Sequence, residues 1–249
     1  MSSFLNNNSS KYAEDYLKEH IETMSIRTLN LMLRHFSRTR QTGKLRDLFY
    51  SRMLPDRVNA LSYTTFINAL SKSASEKTAY EAEQLVQEMY SNGIVQPNLF
   101  TYNALLNTWL KSGSPQAPTK CVDILQVMES QGIEPDKISY TCYIGTWAKM
   151  KPEQGMRILE YVEDSNLAKL DRVPYFSLIN AFAIRRNVEM VMLLVQRMKE
   201  NGIYADKRLH DVILDSIDRS DLPRQRKQNM IDSIPYAIPQ RKKKKFSFL

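Results

Sequence analysis

The sequence predicts an all-α chain, a right-handed α-solenoid of antiparallel two-helix hairpins, and three observations support this. An aromatic recurs at Tyr63, Tyr102, Tyr140 and Tyr175, with spacings of 39, 38 and 35 residues. In step with it runs a Met–x3–Gly–hydrophobic segment, carried by Met89, Gly93 and Ile94, by Met128, Gly132 and Ile133, by Val162, Asn166 and Leu167, and by Met198, Gly202 and Ile203. Seven glycines and ten prolines in 249 residues are too few for many tightly turned strands. A period of this size marks a stacked array rather than one closed domain.

The elements follow in order. Residues 1–24 form an N-terminal extension, expected to be partly helical. Residues 25–59 read as a degenerate hairpin, with a first helix over RTLNLMLRHFSR and a second over KLRDLFYSRM. The unit 60–98 places its helices at Leu61–Ser71 and Ala79–Ser91. In the unit 99–136, Phe100, Tyr102, Leu105, Leu106, Trp109 and Leu110 fall at helical spacing. Gly113, Ser114, Pro115 and Pro118 interrupt it before a second apolar band from Cys121 to Met128. The unit 137–171 carries Pro152 at the start of its second helix, where proline is tolerated. The unit 172–206 turns at Arg185-Arg186-Asn187. Residues 207–220 read as a terminal capping helix without a partner, and 221–249 as a disordered basic tail. Each full unit closes on a dipeptide: Pro97-Asn98, Pro135-Asp136, Leu170-Asp171 or Ala205-Asp206.

Composition narrows the function. The tail 221–249 holds eight Lys or Arg against two Asp, so it carries six of the net eight positive charges. The repeat body is therefore nearly neutral. The RKKKK run reads as a solvated tail attracted to phosphate backbones, with nuclear import or a membrane surface as weaker readings. No stretch is apolar enough to cross a membrane. Cys121 and Cys142 are too few for a disulfide framework or a zinc site. His20, His35 and His210 have no recurring carboxylate or thiol partner. There is no Gly-rich phosphate loop and no nucleophile or metalloprotease motif, so neither catalysis nor a cofactor, metal or small-molecule substrate is expected. The first dozen residues have no Arg and no apolar centre, and thus no clear targeting peptide. Either the chain is not targeted from its own N-terminus, or this start is not the native one.

The segments FTYNALLNTWLKSG…ILQVMESQGIEPD and ISYTCYIGTWAK resemble the pentatricopeptide-repeat family, well over about 60–206 and weakly over 25–59 and 207–217. The W-x2-L-G-x2-Y pattern of tetratricopeptide repeats is absent. The resemblance implies a single-stranded RNA binder of mitochondrion or plastid, in which each hairpin reads about one base. Transferred position by position, the base-reading pairs are Thr64 with Asn98, Asn103 with Asp136, Thr141 with Asp171, and Phe176 with Asp206. The first three resemble readers of A, U and G from 5′ to 3′. Phe176 departs from the pattern, so its hairpin stacks a base or reads nothing.

Leu61, Phe100, Ile138 and Val173 occupy the positions that clamp bases in the family. Lys72, Lys111 and Lys149, each nine residues after its tyrosine, form a once-per-hairpin cation series suited to phosphates, with Arg185 beside the corresponding position in the fourth unit. The tyrosines, methionines and tryptophans read as packing residues, the tyrosine hydroxyls hydrogen-bonded. A helical scaffold that holds mainly protein, such as a ribosomal or RNA-processing subunit, is the alternative function.

Overall fold

The computed structural model describes residues 24–52, 58–93 and 95–235. The N-terminal extension up to residue 23 and the Arg241–Lys245 run lie outside the described residues. Among those described, every regular element is helical. The chain divides into two compact units after Glu134.

The first unit contains α1 (Ile26–Arg38), α2 (Thr42–Arg46) running into a π-helical turn (Asp47–Arg52), α3 (Ala60–Leu70), α4 (Glu76–Asn92), α5 (Leu99–Ser112) and α6 (Ala117–Ser130). Its leading helices α1, α3 and α5 pack side by side in one layer, and α4 and α6 return antiparallel to them. The second unit contains α7 (Lys137–Met150), α8 (Pro152–Asp164), α9 (Arg172–Ile184), α10 (Val188–Glu200), α11 (Lys207–Asp218) and α12 (Arg224–Ser233). Here α7, α9 and α11 form the layer.

Three expectations are corrected. α4 starts at Glu76 rather than Ala79, because the Ser75 hydroxyl accepts the Thr78 amide and caps the helix three residues earlier. The second helix of the degenerate hairpin is a short α segment that widens into a π turn. The terminal helix α11 has a partner, for Arg224–Ser233 form α12 packed against it, within the stretch expected to be disordered. The chain then folds back, and the Ala205 N–H donates to the Pro235 carbonyl at 2.8 Å.

The recurring sequence marks are helix-terminus chemistry. In α6 the Ile133 amide donates to the Met128 carbonyl at 2.9 Å and Gly132 to Glu129 at 3.0 Å. Leu167 and Ile203 repeat the longer bond to Val162 and Met198. This is the Schellman ending, which needs a left-handed residue and an apolar pair across the turn. Gly132 lies at φ 70°, and Asn166 holds the same place at φ 51°, a conformation Asn tolerates. The markers Met89, Met128, Val162 and Met198 are all fully buried.

The closing residues are the N-caps of the following helices. Asn59, Asn98 and Asp136 accept the amides of Ser62, Thr101 and Ser139, whose hydroxyls accept the cap amides in return. Tyr63, Tyr102 and Tyr175 follow one residue later, buried, with hydroxyls donating to Glu88 (3.1 Å), Gln131 (2.8 Å) and Glu163.

One glycine is required by packing rather than by a turn. A Cβ on Gly155 of α8 would lie 2.8 Å from Leu178 Cδ2 and 3.3 Å from the Ala148 nitrogen and Ile144 oxygen. Gly155→Val is therefore expected to destabilise the second unit by about 2–3 kcal/mol, seen as a lower urea midpoint. Gly155→Ala should cost less, since its nearest contact is the end of the Leu178 side chain and the gain in helix propensity offsets part of the strain. A valine variant with the parental midpoint would disprove this close approach.

Candidate nucleic-acid interface

Because the closing residue caps the next leading helix, it arrives beside the side chain five positions past the preceding cap. In the first unit that meeting is visible twice. Asn30, five residues after the Ser25 cap of α1, is buried; its Nδ2 donates to Asn59 Oδ1 at 3.3 Å. The Ser62 hydroxyl bonds Asn30 Oδ1 at 2.7 Å and Asn59 Oδ1 at 3.1 Å. One hairpin on, the Thr64 and Thr101 hydroxyls lie 3.3 Å apart, and Thr101 donates to Asn98 Oδ1 at 3.2 Å. Thr64 and Asn98 are thus joined through one hydroxyl, as Asn30 and Asn59 are through Ser62.

Asn30 and Asn59 were missed in the sequence. Leu29 stands where the other hairpins carry tyrosine, and no Met–x3–Gly segment precedes Asn59 to mark the register. The available signal was Ser25, a cap residue five positions before Asn30.

The remaining predicted positions fall as follows. Asn103 is buried in α5. Asp136 caps α7 through the Ile138 and Ser139 amides at 2.9 and 3.0 Å. In the second unit the Thr141 hydroxyl donates back to the Lys137 carbonyl at 2.6 Å. Asp171 caps α9 through the Val173 amide, since Pro174 has none to offer, and stands 3.8 Å from Lys137. Asp206 caps α11 through the Leu209 amide and pairs with Arg172 at 3.2 Å. Phe176 is half-buried, and the Arg208 guanidinium lies over its ring at 4.9 Å.

All four clamp candidates are exposed apolar side chains, at 47% for Leu61, 73% for Phe100, 48% for Ile138 and 48% for Val173. They sit on the first turns of α3, α5, α7 and α9, beside the caps. What sets these four apart from the other exposed apolar side chains is their common place, two residues after the cap.

The cations lie at the opposite ends of the leading helices. Lys111 and Lys149 are exposed on the last turns of α5 and α7. Lys72 Nζ donates to the Ser37 carbonyl at 2.7 Å, and Arg185 donates to the Met150 carbonyl at 3.1 Å. Each therefore also satisfies the end of the leading helix one hairpin earlier, which their spacing alone does not reveal. Burial, together with the positive charges of Arg40, Lys111 and Arg38, holds the Lys72 ammonium below the usual lysine range. Lys72 and Arg40 line a recess of about 80 Å³ with Ser37, Thr42 and Ser73. Repelling cations gathered at one edge favour an anion there.

The pentatricopeptide repeat domain family matches residues 57–111 and 157–206. A chloroplastic pentatricopeptide repeat-containing protein of Arabidopsis thaliana is 23% identical over 143 residues, 57% of this chain and 18% of that protein. The mitochondrial 15S rRNA processing factor CCM1 of Yarrowia lipolytica is 29% identical over 147 residues, again 57% and 18%. The chain thus spans under a fifth of either relative. Among solved structures, the maize protein PPR10 in complex with an 18-nucleotide psaJ RNA element superposes with a TM-score of 0.69 at 21% identity, covering 89% of this chain and 33% of that one. The repeat domain of Arabidopsis thaliana protein-only RNase P 1 in complex with tRNA gives 0.59 at 16% identity, covering 77% and 97%. These superpositions establish a shared helical-repeat fold.

Proposed function

We propose that the chain is a pentatricopeptide-repeat protein and a modular single-stranded RNA-binding protein acting in organellar RNA processing, stability or translation, each reading hairpin presenting a polar pair to about one base. The observation that carries this reading is the hydrogen-bonded meeting of the fifth-position side chain with the next cap, at Asn30 with Asn59 and at Thr64 with Asn98. The cap spends Asn98 Oδ1 on its own helix and leaves the amide nitrogen for a base edge. Leu61 and Phe100 flank this pair as exposed apolar walls, and the helix-end cations supply the backbone attraction.

The relatives bear on setting as well as on fold. Their names place them in chloroplast and mitochondrion, and one is an rRNA processing factor. The similar structures carry RNA, a psaJ element in one and a tRNA in the other. The chain's repeats act as a binding module rather than a catalyst, and protein partners from RNA processing or the ribosome complete its setting. Lys72, Lys111, Lys149 and Arg185 contact phosphate. Thr64 with Asn98, Asn103, Asp136, and Thr141 with Asp171 choose bases; Asn30 with Asn59 adds one upstream.

Stacking contributes about 1–3 kcal/mol per base, so a handful of reading hairpins yields only about micromolar binding. Titration of short oligonucleotides carrying the AUG-like order against scrambled ones tests the proposal. The matched strand should bind several-fold tighter, with log affinity falling on log salt at a slope of about −3 for four phosphate contacts. Equal affinity for all sequences would favour the protein-binding scaffold instead.

A further inference from the structure

From Phe176 and Arg208 we infer that the fourth full hairpin, 172–206, is closed to base readout, and that sequence reading ends with the hairpin before it. This inference rests on the base-reading function proposed above. Arg208 is the second residue after the Asp206 cap, the register held by Leu61, Phe100, Ile138 and Val173 after their own caps. In the first unit the side chain of that register, Phe100, stands 73% exposed beside the Thr64–Asn98 pair. At the fourth hairpin its counterpart lies over the fifth-position ring, with the guanidinium carbon 4.9 Å from the Phe176 centroid. The space a base plane would need is taken by a cation–π contact from the chain itself.

The hydrogen-bonding groups are withdrawn as well. Phe176 has neither donor nor acceptor to match a base edge. Asp206 accepts the Leu209 amide on Oδ1 and is held through Oδ2 by Arg172 at 3.2 Å, closer than the 3.8 Å between Asp171 and Lys137. Two arginines, Arg172 and Arg208, therefore occupy both members of the pair that reads bases elsewhere. The hairpin keeps the helical period and caps but presents nothing that distinguishes one base from another.

The test uses the full chain and oligonucleotides held in register by the preferred triplet, varied at the nucleotide 3′ of that read by Thr141 and Asp171. The parent should bind all four bases at that position within about twofold. The double variant Phe176→Asn with Arg208→Val, checked for parental helicity by circular dichroism, should acquire at least a fivefold preference for one base there. A parent that already discriminates at this nucleotide overturns the inference, and so does a folded double variant that gains no preference. Thr64→Ala serves as the control, losing preference only at its own base. If the parent shows no preference at any position, the base-reading function itself fails, which is distinct from preference elsewhere combined with discrimination at the tested nucleotide.

Discussion

Thr64→Ala should erase preference at one nucleotide while leaving the protein as stable as the parent or slightly more so. The Thr64 hydroxyl donates back to the Ala60 carbonyl of its own helix and meets Thr101 at 3.3 Å. It caps nothing, and alanine is the better helix former by about half a kcal/mol. Reduced RNA binding could not then be blamed on folding. A neutral hydrogen bond to a base edge contributes about 1 kcal/mol, so the matched strand should weaken about fivefold and the strand mismatched at that base hardly at all. Fluorescence anisotropy with four oligonucleotides differing at that base measures it. A uniform loss across all four would mean that Thr64 supports the helix layer and selects nothing. The same experiment at Asn98 would be ambiguous, because losing the α5 cap costs about 1 kcal/mol of stability by itself.

Arg197→Ala is expected to cost about 2–3 kcal/mol at neutral pH. Arg197 of α10 reaches Glu163 and Asp164 at 3.1 Å and Glu160 at 3.5 Å. Glu163 is the most sheltered of the three and also accepts from Tyr175 and Asn201. Burial raises its carboxyl above the usual range, against the lowering effect of Tyr175, Arg197 and Asn201. A carboxyl raised on folding favours the fold most below its ordinary value, and that contribution is lost as pH rises through the raised one. Removing Arg197 removes one lowering influence and pushes Glu163 higher still. The deficit of the variant should therefore be largest at pH 7.5 and shrink toward pH 5 as Glu163 takes up its proton. Urea midpoints at the two pH values check it, and a deficit that stays constant would place the cost in lost packing.

What the sequence disclosed was mostly terminus chemistry. The Met–x3–Gly–hydrophobic mark is legible because a Schellman ending needs those residue types at that spacing, and Asn166 is readable as its glycine substitute. Asn98 and Asp136 are legible as closing residues because the hydroxyl three residues later completes a capping box. Local bonds of this kind leave a local pattern. Features made across hairpins left none. Nothing near Lys72 announces that it will meet Ser37, and nothing near Phe176 announces Arg208. Asn30 stayed hidden because Leu29 replaces the tyrosine that marks the register elsewhere. The early start of α4 and the π turn at Asp47–Arg52 were lost to one overlooked serine cap and to a helix widening that has no sequence signature.

The ties from Lys72 to Ser37 and from Arg185 to Met150 bear on how each compact unit melts. A carbonyl that accepts from the next hairpin's cation loses that partner when the hairpin frays, so loosening passes upstream from neighbour to neighbour. Part of the stability then resides at the seams between hairpins, and excising one repeat costs its predecessor a helix-terminus partner as well.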